Sequence, residues 1–393
     1  MQYAAIFGRN PALSVAELVA LGEFHSFRVS PLGTYAALLD DFDLAVADRF
    51  GSITKIIQLE DATFPSAEAC IAAFAGKSFS KKVLFGISSY GRTPATPLTA
   101  LARKYLSKRN IAHRYLAKHD GRSGRYPDGE LSAVQVTHQK LLGRGFDWCI
   151  FEGAESFRAG KTVWAYDFAG FASRDYDKPV SDQVRGMLPP QLARTMVNLA
   201  TRGEQRTVVD PFCGVGNLLL EASALGLPSV GSDLDPRAIR DAQRNLEWWK
   251  RHHRDAPSAE LQTADATTLS TLPANSAIAT EGYLGPLQKP TDSDEQTLDT
   301  AREIEQLLES FLIATGKAQA PGDRLVLTLP AWRLRGGTIH RLDIIDRLDK
   351  FGYTKVRPVP TGWSFSDLTG RETIDVARAK QRVIHELLII KKR

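Results

Sequence analysis

The segment Val208–Glu221, VVDPFCGVGNLLLE, constrains the fold most. An apolar run ends in an acid, Asp210, and passes through Gly214-x-Gly216 into a helix-like apolar stretch. That order reads as a buried strand, a tight turn and a helix. The glycines allow dihedrals and close backbone approaches that a Cβ would block. Leu219 stands where G-x-G-x-x-G would place its third glycine, so a dinucleotide site is the poorer reading. Seventeen residues beyond Gly216, a second strand-like run, PSVGSDLD, ends at Asp233 and leads into the helical PRAIRDAQRNLEWWKRH. A third, AELQT, leads to Ala264-Asp265-Ala266. Alternating units of this length imply an open, largely parallel sheet covered by helices. Three acids at successive strand ends then share one sheet edge, where such folds bind ligands. A carboxylate at Asp233 can accept both hydroxyls of an adenosine ribose, and Asp265 can accept the adenine amino group. Any one of these acids can instead cap a helix.

The chain continues in the same style. MLPPQLARTMVNLA precedes the first strand as a helix opened by prolines, and SAIATEGY carries a fourth strand. AREIEQLLESFLIATG is a further helix. RLVLTLP, TKVRPVP and RVIHELLIIKK form a β-rich end whose last two strands suit an antiparallel pair. Residues 1 to about 170 read differently, as a small mixed α+β pattern in two compact subdomains. YAAIF, SITKIIQL, KVLFGISSY, LSAVQVTHQKLL, FDWCIFEG and KTVWAYDFAG read as strands. SVAELVALG, SAEACIAAFAG and LTALARKYLSKR read as helices.

At 393 residues the chain exceeds one typical domain. Its three cysteines, Cys70, Cys149 and Cys213, are scattered and odd in number, which argues against a disulfide framework or a structural zinc site. The opening MQYAAIFGRN has neither the basic region nor the apolar core of a secretory leader, and no stretch approaches ~18 apolar residues. The expectation is a soluble cytoplasmic protein with no membrane partner. Net charge is only +5, but between Lys77 and Arg125 twelve Lys or Arg stand against one acid, Asp120. Tyr90, Tyr105, Tyr115 and Tyr126 interleave with them, a pattern of nucleic-acid surfaces, although a charge run is often only a solvated face.

On these residues the chain resembles the THUMP-associated class I S-adenosylmethionine-dependent RNA methyltransferases, and within them the enzymes that methylate N2 of guanosine in tRNA. The matching pieces run in order: FGRNPALSVAEL and SITKI, LSAVQVTHQKLL, SRDYDKPVSDQVRGMLPPQLARTMVNLA, DPFCGVGNLLLEA and SDLDPRAIRDAQRNL. The resemblance implies an α/β, Rossmann-like methyltransferase sheet over 196–393, preceded by an α+β subdomain over 1–60, a THUMP-like RNA-binding domain over 61–170, and a linker with entry helix over 171–195. It implies S-adenosylmethionine as cofactor, no metal, and tRNA or rRNA as partner; a monomer is assumed, with the oligomeric state left open. Asp210, Gly214 and Gly216 would line the methionine part, Asp233 would hold the ribose, and Asp265 with Ala266 the adenine; Asn217 and Leu234 are further expected cofactor-binding residues. Arg185, Met187 and Pro189 belong to a preceding segment that closes over such sites. Cys213 reads as a small packing residue, because no nearby motif supplies a matched base.

One motif departs. Amino-methylating relatives carry Asp or Asn, two prolines and an aromatic at the fourth strand end; here stand Thr280, Glu281, Gly282 and Tyr283. Tyr283 can stack on an extruded base. Thr280 is a poor acceptor for a target amine, whereas Glu281 carries a carboxylate, and Gly282 is expected to let the loop turn it inward. The expected activity is methylation of guanosine N2 in tRNA by Glu281, Tyr283 and Thr280. Its rivals are an rRNA or DNA amino-methyltransferase, or a non-catalytic RNA-binding factor on the same fold.

Overall fold

A computed structural model describes residues 1–79, 82–116, 129–181, 188–286, 293–377 and 381–393. The chain divides into two compact units, one of residues 1–14 and 25–168, the other of residues 15–24 and 169–393.

The helix α1 (Pro11–His25) is divided between them, with residues 15–24 counted in the second. The first unit is otherwise built on β1 (Tyr3–Phe7), β2 (Arg28–Pro31), β3 (Ala36–Asp40), β4 (Ile53–Leu59), α2 (Ala67–Gly76), β5 (Val83–Tyr90), α3 (Ala95–Lys108), β6 (His113–Tyr115), α4 (Ala133–His138), α5 (Leu141–Arg144), β7 (Phe146–Glu152) and β8 (Phe157–Ala165). Its strands form one sheet in the order β2-β3-β1-β4-β8-β7-β5-β6, so segments 1–60 and 61–170 hydrogen-bond across β4 and β8. The helices α2 and α3 bury Phe74, Leu98, Ala102 and Leu106 with Phe85 and Trp148 of the strands. That burial leaves Arg103, Lys104 and Lys108 of α3 exposed.

The expected strand LSAVQVTHQKLL is instead the helix pair α4 and α5. Its start shows the cause. The Ser132 hydroxyl accepts from Gln135 N, and the Gln135 side chain accepts in return from Ser132 N, a capping box that satisfies two backbone donors at once. Leu131, Val136 and Leu141 then gather in one apolar cluster. Alternation over a few residues is a weaker signal than that reciprocal cap.

The second unit contains α6 (Phe168–Ala172), α7 (Pro190–Thr201), β9 (Thr207–Asp210), α8 (Asn217–Ala224), β10 (Ser229–Asp233), α9 (Pro236–His252), β11 (Ala259–Thr263), β12 (Ser276–Glu281), α10 (Asp294–Ala318), β13 (Arg324–Arg333), β14 (Ile339–Arg341), β15 (Tyr353–Lys355), β16 (Ile374–Val376) and β17 (Val383–Lys392). The sheet order is β11-β10-β9-β12-β13-β17-β15. The first five are parallel, and β17 runs antiparallel to both β13 and β15. The expected run TKVRPVP contributes only Thr354 and Lys355 to a strand, β15, since two prolines follow without N–H groups to donate.

Alternation along β13 sorts its two faces. Leu325, Leu327 and Leu329 join Ile304, Leu308 and Phe311 of α10 in one core, whereas Val326 is buried outside that cluster. α7 packs on β12 and β13. α9 starts at Pro236 behind an Asp235 cap and buries Ala238, Ala242, Asn245 and Trp249 along one stripe. Among the described residues no helix is long and apolar enough to cross a membrane.

Candidate active site

Asp210, Asp233 and Glu281 are the last residues of the parallel strands β9, β10 and β12, so the topology brings three carboxyl groups to one sheet edge. Asp265 follows β11 by two residues at the same edge.

The turn after β9 explains its glycines. Gly214 and Gly216 have φ of +51° and +84°, in the left-handed region that side chains disfavour. A Cβ on Gly216 would lie 3.2 Å from that of Ala242 on α9, whereas one on Gly214 would meet nothing within 4 Å. The loop therefore packs tightly on its helix side and opens at Gly214. Gly214 N donates to Asp233 Oδ2 at 3.0 Å, and Asp235 N donates to Oδ1 at 2.9 Å. One carboxylate ties the first turn to the second strand and retains lone pairs for a ligand.

Asp210 is buried. Its Oδ1 accepts from Phe212 N at 3.2 Å and from the Thr280 hydroxyl at 2.6 Å. Burial pushes its carboxyl up to about 7, against those two hydrogen bonds and with help from the Asp233 charge. The Thr280 hydroxyl thus donates inward and positions Asp210. Cys213 is buried beside these acids, and burial raises its thiol well above the usual range, in keeping with a packing residue.

Several expected contacts have another local role. Asn217 Oδ1 accepts from Lys178 Nζ at 2.7 Å, and its Nδ2 donates to Leu188 O at 3.1 Å. Asn217 anchors the segment entering the domain. Asp265 is exposed and caps the short turn Ala266–Thr268, accepting from Thr267 N at 2.8 Å and its hydroxyl at 2.7 Å. Ala266 is buried and Leu234 is 69% exposed. Arg185 and Met187 lie outside the described residues, and Pro189 precedes the first turn of α7.

The fourth strand end differs from its expectation in one respect. Gly282 does not supply turn freedom. Its N donates to Thr328 O at 3.2 Å, and a Cβ there would approach that oxygen to 2.9 Å. Glycine lets β12 stay paired with β13 for one residue more, which proline, without an N–H, cannot do. Glu281 lies against β17, with Oε1 3.4 Å from His385 Nε2. Burial and the neighbouring Asp210 charge push Glu281 up to about 8, and burial pushes His385 down to about 4. Tyr283 is 49% exposed, leaving a ring available for stacking.

Sequence reasoning missed two supports of this edge. His385 interrupts the apolar run RVIHELLIIKK, and that interruption was the available signal. Glu221 on α8 is fully buried between Arg174 and Arg194, and both guanidinium groups lie over the Phe171 ring at 4.7 Å. Among the described residues no three His, Cys, Asp or Glu side chains cluster as metal ligands.

The basic run is partly described. Arg103 stacks on Tyr115 at 4.4 Å, and Tyr115 is 39% exposed. Tyr90, by contrast, is buried and stacks on Phe151, so it is no surface aromatic. Tyr126 lies outside the described residues.

The RMKL-like methyltransferase domain family, UPF0020, matches residues 180–317. A tRNA (guanine(10)-N2)-dimethyltransferase of Methanothermobacter thermautotrophicus is 28% identical over 165 residues, covering 42% of each chain. One from Methanocaldococcus jannaschii is 47% identical over 62 residues, 16% of this chain and 18% of its own length. The chain thus spans less than half the length of these relatives. The crystal structure of TrmN from Thermus thermophilus matches the whole of both chains with a TM-score of 0.51 at 15% identity, a likeness of fold. The second unit holds a class I S-adenosylmethionine-dependent methyltransferase domain related to the archaeal tRNA (guanine(10)-N2)-dimethyltransferases.

Proposed function

We propose that the protein transfers a methyl group from S-adenosylmethionine to the exocyclic N2 of a guanosine in tRNA. The observation that carries this reading is the joint between Asp233 and Gly214, where a strand-end carboxylate holds an open glycine turn. The chemistry of the donor set fits the cofactor. Asp233 has lone pairs left for a diol, and Gly214 leaves space beside it. When bound, the cofactor supplies an electrophilic methyl group on a cationic sulfur.

The protein's own groups do the rest. Asp210, held by Thr280 and Phe212 N, presents a buried carboxyl at this edge. Tyr283 provides a face for a base removed from its stack, as chemistry on a base requires. Glu281 stands two residues before it as the acceptor for the target amine. In the first unit, Arg103, Lys104 and Lys108 beside Tyr115 form a basic, aromatic strip suited to phosphates and bases.

The test is methylation of unmodified tRNA by the purified protein, followed by mass analysis of the nucleosides. The expected products are N2-methylated guanosine and S-adenosylhomocysteine. A methyl group found only in rRNA or DNA, or cofactor binding with no transfer, would overturn the reading.

A further inference from the structure

Three polar groups converge on one face where β12, β13 and β17 run side by side. Glu281 pairs with Thr328 and Thr328 with Leu387, while Pro330 pairs with His385, so the period of two puts Glu281, Thr328 and His385 on the same side of the sheet. Two of their atoms are buried without a hydrogen bond among the described residues, Glu281 Oε1 and Thr328 Oγ1. His385 Nε2 lies 3.4 Å from that Glu281 oxygen. Buried polar atoms are normally satisfied, so two open ones on one face beside the strand edge call for an explanation, of which a catalytic role is one.

We propose that Glu281 and His385 form a proton relay for the transfer, with His385 as the final base. This rests on the methyltransferase reading above. An exocyclic amine that accepts a methyl group must lose a proton. The nitrogen lone pair forms the N–C bond and the S–C pair stays on sulfur. The N–H proton passes to Glu281 Oε2 as the proton on Oε1 passes to His385 Nε2. Glu281 ends as it began, a neutral acid, and His385 ends as imidazolium. His385 is a positioning residue and proton sink, acting through Glu281.

The surroundings favour a protonated Glu281 and a neutral His385 at rest, because burial disfavours the charged form of each. The charged neighbour on β9 is Asp210, which adds to the rise at Glu281. From β13 come Thr328 and Pro330, and β16 sets Val376 opposite His385. Asp375, next along β16, is bound to Arg341. The charged residue of α7, Arg194, is bound to Glu221.

The relay needs His385 Nε2 to be unprotonated, which ring nitrogen chemical shifts read directly in the folded protein without substrate. The His385→Gln spectrum assigns the signal. An Nε2 acceptor whose titration moves in Glu281→Gln is expected. A proton resident on Nε2, or a titration that ignores Glu281→Gln, overturns the relay. In single-turnover assays with S-adenosylmethionine and unmodified tRNA, His385→Gln should lower the transfer rate at least about tenfold with cofactor affinity unchanged. The amide still accepts a hydrogen bond but cannot hold the proton, so a merely structural role predicts the parental rate. That outcome overturns the relay while leaving methyl transfer standing. A parent protein that transfers nothing overturns the proposed function instead, and the ring measurement still decides the pair.

Discussion

Replacing Asp233 by Ala tests the central joint of the site. The side chain accepts from Gly214 N and Asp235 N, and both distances fall within 0.1 Å of 3.0 Å. Hydrogen bonds to a charged group contribute about 1.5–3 kcal/mol each, but at this partly open edge water replaces part of that. A loss of about 2 kcal/mol in stability is the expected outcome, a fall in Tm of about 4–8 °C for a unit of this size. The variant should remain folded at room temperature. S-adenosylmethionine loses its paired ribose acceptor as well, and the turn that carries Gly214 loses its tether. Affinity should drop about tenfold or more. Isothermal calorimetry on the folded variant, with thermal melting beside it, reads both effects. Unchanged affinity would remove Asp233 from the site. A large fall in Tm with unchanged affinity would make the carboxylate a turn fastener only.

Tyr283→Ala should reduce turnover by about 1–3 kcal/mol of stacking while leaving thermal stability nearly unchanged, because the ring is half exposed. Single-turnover rates and melting curves on the same sample check it. Reversing Arg103, Lys104 and Lys108 together to Glu should weaken tRNA binding and flatten its dependence on salt, since fewer phosphate counterions are released. Equal salt slopes for variant and parent would show a merely solvated helix.

Much of the second unit was legible because its signals repeat. The strands β9, β10 and β12 are short and each ends in an acid, and β10 leads into a helix with its own start at Asp235-Pro236. Parallel pairing then forces Asp210, Asp233 and Glu281 to one edge. The first unit was less legible. Its sheet joins β4 to β8 across about a hundred residues of sequence, a pairing that no local pattern announces. β2 and β3 are short and partly polar, so alternation barely marks them. Side-chain roles were harder still. Asn217 looks like a ligand group beside two glycines, yet Lys178, thirty-nine residues earlier, takes its oxygen. Thr280 looks like a failed acceptor, yet it donates to Asp210 from the neighbouring strand. Those partners are set by register, which the sequence specifies only through the whole sheet.

The charge state of Asp210 gives the remaining test. Its carboxyl is 3% exposed and titrates near 7, above its usual 3.8. A carboxyl raised in the folded state binds its proton more tightly there than in the unfolded chain. Its stabilising contribution is therefore complete below about 4 and is lost as pH rises through about 7. If the whole shift is realised, that loss is about 4 kcal/mol by pH 8. Asp210→Asn isolates the effect. The amide oxygen still accepts from Thr280 and Phe212 N, and no proton can leave. Denaturant unfolding of parent and variant from pH 5 to 8 should give curves that diverge upward in favour of Asn as pH rises. Glu281 is pushed in the same direction, and keeping it in both proteins cancels its share to first order. Parallel curves across that window would mean that Asp210 is ionised in the fold throughout, held by its two donors against burial. The buried carboxyl would then be a fixed negative charge at the strand edge, and the rise at Glu281 would owe correspondingly more to it.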